Sequence, residues 1–317
     1  MAKAKQRANW KVWLRRASQG LFLLLFLYLF LQTEYHPINE IGGPVTLFFE
    51  LDPLILTTVW LAAEVVPRML LISLGVVGIT LLFGRWFCGW FCPFGVLHNI
   101  FTSFSSGRYK AKMAKGGYSP HQRWKYYLLV TVLMGSLVGL NLVGWLDPFS
   151  FFFRSLGTSI YPALNSGITE LATWLYEKDP GIGSVKITMV SEPVYSFLRD
   201  HFLAVERPQY AWGVAIGLLF VGAVGLNFVR PRFWCRYICP LGAMLGVVGK
   251  NPLVRLQKNE EICNDCQLCL VDCPGGADPN TAGGWRPAEC FFCWNCESVC
   301  PHKAISFGFG LGKEGHR

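Results

Sequence analysis

Twelve cysteines carry the chemistry legible in this chain, and their spacing sorts them into two kinds. Cys263, Cys266, Cys269 and Cys273 form a C-x2-C-x2-C-x3-C run closed by Pro274. Cys290, Cys293, Cys296 and Cys300 repeat it, closed by Pro301. Three thiolates at this spacing let one short loop wrap three corners of an iron–sulfur cube, and the fourth, turned away by the proline, reaches a neighbouring cube. The expected ligand sets are therefore crossed. Cys263, Cys266, Cys269 and Cys300 surround one [4Fe-4S] cluster, and Cys290, Cys293, Cys296 and Cys273 surround the other. Zinc sites pair separated C-x2-4-C units instead, and disulfides mark small secreted domains. Tight cysteine clusters indicate metal ligation in a reducing compartment.

The remaining four cysteines lie in a duplicated motif. Arg85 to Gly95 reads RWFCGWFCPFG, and Arg232 to Gly242, 147 residues on, reads RFWCRYICPLG. Such self-similarity implies two repeated halves. The Cys-x3-Cys spacing predicts both sulfurs on one helix face. If the halves pack face to face, Cys88, Cys92, Cys235 and Cys239 converge and could hold a third cluster or another metal, with Arg85, Arg232 and Arg236 offsetting its negative charge. A redox-active thiol pair and buried structural cysteines remain open alternatives for these four.

The elements that position these residues read as membrane helices. Hydrophobic residues make up 52% of the chain and charged residues only 15%, below the roughly 25% of soluble domains. Four apolar segments approach the roughly 20 residues that a span requires: Leu14 to Gln32, Met69 to Phe87, Tyr126 to Leu146 and Tyr210 to Phe228. The first reads as a retained anchor, since no small-residue cleavage site follows it. Leu54 to Val66 and Phe149 to Leu164 read as interfacial or re-entrant pieces. Gly213, Gly217, Gly222 and Gly225 give the fourth segment a small-residue face suited to close helix packing. Lys and Arg crowd residues 1–16, Gly107 to Lys125 and Asn227 to Lys258, whereas Thr33 to Val65 and Asp147 to Glu206 are acidic. By the positive-inside rule both termini face the cytoplasm. The net charge of +9 then reflects topology and an anionic leaflet, and no nucleic-acid surface is expected.

The combination of Cys88/Cys92, Cys235/Cys239 and the two runs from Cys263 and Cys290 resembles the NapH type of membrane ferredoxin over nearly the whole chain. Its core is similar to the membrane half of NosR and to CcoG-like and MauN-like proteins, and the C-terminal runs resemble a two-cluster bacterial ferredoxin. The resemblance implies four spans, quinol oxidation or electron supply to a metalloenzyme or its assembly, and a quinol dehydrogenase subunit as enzyme class. The 147–206 loop is longer than that family's minimal form. Quinol oxidation releases protons and calls for a base beside an apolar pocket. His36, Glu50, Asp52, Glu64 and Asp147 are outer candidates and His98 an inner one, with Glu64 and His98 the best placed.

The expected architecture is an all-α membrane domain of about four helices in two repeated halves, residues 1–250, followed by a small α+β two-cluster ferredoxin-like domain, residues 251–317. The expected setting is the bacterial cytoplasmic membrane. The expected partners are lipid, quinone and other redox subunits, such as a ferredoxin-like protein, a cytochrome or a periplasmic reductase. An accessory electron donor for metal-centre maturation or metal reduction, and a relay subunit of a larger respiratory complex, are the alternatives.

Overall fold

The computed structural model describes residues 9–35, 41–42, 44–104, 115–178, 181–182, 185–186, 188–201, 210–280 and 284–310. His36 lies outside them. The structure is mostly helical, with three short two-stranded antiparallel sheets among the described residues. The chain divides into two compact units: residues 1–151 with 223–317, and residues 152–222.

In the first unit, the Trp10–Leu31 helix starts where the Asn9 side chain accepts the Lys11 N–H. It is the one described helix long and apolar enough to cross a bilayer; Pro53–Ala63, Arg68–Phe83 and Gly213–Phe228 are apolar but shorter. Two expected spans are not continuous helices. Met69 to Phe87 divides into a 3-10 turn, a Ser73–Phe83 helix and a Trp86–Trp90 helix, because Gly84 takes φ +71° and ends the middle piece. Tyr126 to Leu146 divides because the Trp124–Leu137 helix closes in a Schellman motif. Gly139 is left-handed there, and the Leu140 N–H returns to the Gly135 carbonyl at 2.8 Å. A hydropathy window sums side chains and does not register such backbone stops.

The repeat is structural as well as sequential. The Trp86–Trp90 helix matches Phe233–Tyr237 residue for residue, and each is followed by a helix beginning at proline, Pro93–Phe104 and Pro240–Val248. A second repeated signal, Leu-Asp-Pro at 51–53 and at 146–148, starts the Pro53–Ala63 and Pro148–Ser155 helices. Asp52 Oδ1 accepts the Leu54 N–H at 2.7 Å, and Asp147 Oδ2 accepts those of Phe149 and Ser150 at 3.0 and 2.9 Å. The two buried carboxyl groups also lie within interaction range of each other, which favours the protonated form. Burial, and then the neighbouring Asp147, raise Asp52 well above the carboxylate range; burial raises Asp147 as well.

The C-terminal segment of this unit is framed by one antiparallel pair, Val254–Lys258 against Ile305–Phe309, in register from Val254 opposite Phe309 to Lys258 opposite Ile305. The two cysteine runs lie between these strands, each with a one-turn helix, Leu268–Val271 and Asn295–Val299.

In the second unit the Tyr161–Lys178 and Thr188–His201 helices flank a two-residue hairpin. The expected glycine face is used in part. A Cβ at Gly213 or Gly217 would collide with Thr158 or Ser159, whereas Gly222 and Gly225 face open space.

Candidate functional site

The duplicated motif builds a platform of four buried thiols. Cys88 sits in the Trp86–Trp90 helix and Cys92 after its end, so the two sulfurs flank a helix break and do not share one helix face. The reason lies in the sequence: the proline after each second cysteine begins a new helix, where its missing N–H costs nothing. Each second cysteine then faces orphan amides. Cys239 Sγ accepts the Gly242 N–H at 3.2 Å, and Cys92 Sγ the equivalent Gly95 N–H at 3.4 Å.

Arginines lock the two halves reciprocally. Arg85 Nη2 donates to the Cys235 carbonyl at 3.0 Å, and Arg232 Nη1 donates to the Cys88 carbonyl at 3.0 Å. Each is the repeat partner of the other, and both are fully buried. The four thiols are within electrostatic reach of one another. Burial, and then Cys235, push Cys92 and Cys239 well above the usual thiol range; burial also raises Cys235, against the nearby Arg232. Such thiols stay protonated unless a bound cation favours the thiolate.

The two C-terminal runs line two small cavities. One is bounded by Cys273, Cys290, Cys293 and Cys296, the other by Cys263, Cys266, Cys269 and Cys300. These are the crossed sets that the spacing predicts. Electrostatically the two sets are close neighbours. Cys273 and Cys290 respond, after burial, first to Cys293, whereas Cys269 responds, after burial, first to Cys273 of the other set and then to Cys266 and Cys300. Burial and Cys293 push Cys290 up to about 12. The Ala277 and Ala304 amides donate to Cys273 and Cys300 at 3.4 and 3.3 Å. Among the described residues no three His, Cys, Asp or Glu side chains converge on a single metal ion; a four-iron cube takes its thiolates at four separate corners. Four-thiol cavities with amide donors to sulfur fit that group.

Two segments, residues 65–112 and 212–259, match a family model described as a 4Fe-4S binding domain. They contain Cys88/Cys92 and Cys235/Cys239, and the second ends before Cys263. The chain is 24% identical to the ferredoxin-type protein NapH of Haemophilus influenzae, over 95% of this chain and 90% of that one. This is a homologue of the NapH-type ferredoxins. It is an iron–sulfur electron-transfer protein related also to the regulatory protein NosR of Stutzerimonas stutzeri, with 26% identity over 70% of this chain and 25% of NosR. The methylamine utilization ferredoxin-type protein MauN of Paracoccus denitrificans is 27% identical over 47% of this chain and 60% of its own. No solved structure matches the chain at a significant level.

In this NapH homologue the platform and the C-terminal runs touch directly. Phe291, between Cys290 and Cys293, lies between the two reciprocal arginines, with each guanidinium 4.8 Å from its ring centre. A Cβ on Gly89, between Cys88 and Cys92, would collide with the Phe291 carbonyl, so only glycine permits this approach. Trp90 Nε1 donates to the Phe292 carbonyl at 3.2 Å. Beside them, buried Glu289 accepts from Arg85 Nη1 at 3.1 Å, from Gln122 Nε2 at 3.3 Å and from Lys125. Arg236, the third expected cation, is also buried, but its guanidinium serves the Lys115 and Gly117 carbonyls.

Glu64 and His98 are not brought together. Glu64 is exposed at the left-handed end of the Pro53–Ala63 helix and lines no cavity described. His98 is fully buried against Phe94, with Nδ1 2.6 Å from Asn227 Nδ2 and Nε2 unpartnered. Burial pushes its value down to about 4, so the ring is neutral near pH 7. Sequence reasoning missed Glu289 and Phe291, for which spacing offers no signal. The repeated Leu-Asp-Pro was the available signal for the carboxyl pair.

Proposed function

We propose that this protein is a membrane-bound quinol dehydrogenase component that passes electrons from a quinone pool through three iron–sulfur centres. Cys263, Cys266, Cys269 and Cys300 would hold one cluster, Cys290, Cys293, Cys296 and Cys273 a second, and Cys88, Cys92, Cys235 and Cys239 a third. When bound, such clusters supply one-electron steps. Oxidation of one quinol releases two electrons to them and two protons to solvent. The observation that carries the reading is the contact between the platform and the Cys290 run. Phe291 between Arg85 and Arg232, with Gly89 against its carbonyl, joins thiols from both halves of the repeat to a ferredoxin-type run.

In this reading residues 1–250 form the membrane part with four spans, some of them interrupted, and residues 251–317 the ferredoxin part, with both termini at the cytoplasmic face of the bacterial inner membrane. Two contacts support one side for the N-terminal helix start and the ferredoxin part. Lys11 Nζ lies 2.7 Å from Glu297 Oε1, and Arg15 Nη2 donates to Asn295 at 3.1 Å. The chain's own residues donate amides to sulfur and set cations beside the thiols, which favours the thiolate against the burial that opposes it. Redox partners on either side of the membrane complete the path. The purified protein with intact clusters, mixed anaerobically with a short-chain quinol, is expected to lose its cluster absorbance. If no quinol reduces it while dithionite does, the dehydrogenase reading fails and an accessory electron donor for metal-centre maturation takes its place.

A further inference from the structure

A cleft of about 810 Å³ lies between the Trp10–Leu31 and Pro93–Phe104 helices and the first cysteine run, within the size range of small-ligand sites. Its wall is mixed. Arg15, Gln19 and Asn227, each at most 4% exposed, line it with polar groups, and Arg15 Nε has no hydrogen-bond partner. Gly20, Leu23 and Ile100 give it an apolar side. That side runs along the one described helix long enough to cross a membrane.

The cleft reaches both kinds of centre. Cys273 is part of its wall. Gln19 Nε2 donates to the Gly89 carbonyl at 2.6 Å, between Cys88 and Cys92. Asn99, also in the wall, accepts from Arg232 Nε at 2.8 Å, and Arg232 donates to the Cys88 carbonyl. A redox molecule in this cleft is therefore one hydrogen-bonded residue from the platform backbone and adjacent to a thiol of the second cavity.

We propose that this cleft is the quinone-binding site, with the ring among Arg15, Gln19 and Asn99 and the apolar tail along Gly20, Leu23 and Ile100. The proposal rests on the quinol reading above and deepens it. A planar ring with carbonyl oxygens matches the unpartnered buried Arg15 Nε beside the Gln19 and Asn99 side-chain amides, which hydrogen-bond each other, and an isoprenoid tail matches an apolar side that opens along a spanning helix. Arg15 and Gln19 then take the place of Glu64 and His98 as headgroup contacts.

The test is photolabelling of the purified, cluster-loaded protein with an azido-quinone, read by peptide mass spectrometry and by displacement with unlabelled quinone. The label is expected on peptides from Trp10–Leu31 and Pro93–Phe104. Space beside the Gly20 Cα is open, as it is at Gly78 outside the cleft, so the Cβ of Gly20→Phe meets no clash. It is expected to weaken quinone binding at least tenfold with cluster absorbance unchanged, while Gly78→Phe leaves binding as it was. Label placed elsewhere, or equal affinity in Gly20→Phe, overturns the site. A wild-type protein that quinols reduce but that is labelled elsewhere refutes the site alone; one that neither binds nor accepts electrons from any quinol refutes the quinol reading as well.

Discussion

Replacing Glu289 with glutamine isolates the electrostatics that hold the platform together. Glutamine preserves the shape and removes the charge shared by Arg85 and Lys125, which are both fully buried. Removing one member of a buried ion pair costs about 3–5 kcal/mol, because the partner charge stays behind. The two cations behave differently once alone. Arg85 cannot shed its proton. Lys125 can, since burial, and then the adjacent Arg85, lower it to about 7. Glu289 is among the groups holding that value up, so Glu289→Gln moves it lower still. A lysine whose folded value lies below its unfolded one, near 10.4, binds fewer protons when folded. Its contribution therefore improves as pH rises across that window. The loss in Glu289→Gln should thus be largest at pH 6 and smaller at pH 8. At roughly 2–4 °C per kcal/mol for larger domains, a drop of about 6–20 °C is expected at pH 6. The assay is thermal unfolding of the cluster-loaded protein in detergent, followed by tryptophan fluorescence at both pH values. Adding Lys125→Met should recover part of the loss at pH 6 and little at pH 8. A Glu289→Gln protein that melts within about 2 °C of wild type at both pH values would refute the reasoning.

Cys273→Ser should damage the cluster of the Cys290 run and spare that of the Cys263 run, visible as loss of about four iron atoms; loss of the other cluster contradicts the crossed sets. Gly89→Ala should separate the platform from Phe291 and slow electron passage between the two with both centres still assembled, read by rapid-mixing absorbance; unchanged rates would remove the role assigned to that contact. Asp52→Asn keeps a capping side chain and removes the titrating carboxyl. Because Asp52 is raised in the folded state, its contribution is favourable below the unfolded value and is lost as pH rises through the folded one. Asp52→Asn should accordingly gain about 1 kcal/mol at pH 8 and little at pH 4, whereas Asp147→Ala, which deletes a cap, should lose about 1 kcal/mol; the two pH melting series decide it.

The grouping of the C-terminal cysteines was legible in the sequence because their spacing and the prolines that follow act locally. Three thiols at two-residue spacing and a following proline dictate which cavity each sulfur enters, and the structure groups Cys273 and Cys300 accordingly. The pairing of Arg85 with Arg232 was half legible. Their equivalence in the repeat is plain, but donation to the opposite half's carbonyl depends on how the halves pack. Glu289 was not legible, since its partners Arg85 and Lys125 lie 204 and 164 residues away. The apolar segments were found, and their interruptions at Gly84 and Gly139 were not, because a left-handed glycine leaves hydropathy unchanged. Glu64 and His98 stand out in the sequence as ionisable groups beside apolar segments. In the structure one is exposed and the other is buried beside Asn227.

The claim that joins the two halves of the repeat to the ferredoxin runs is a third cluster on Cys88, Cys92, Cys235 and Cys239. Iron and thiol quantification on the anaerobically purified protein tests it most directly. About twelve iron atoms per chain and no alkylatable thiol at these four positions are expected. About eight iron atoms per chain, with these four cysteines present as free thiols, would contradict it.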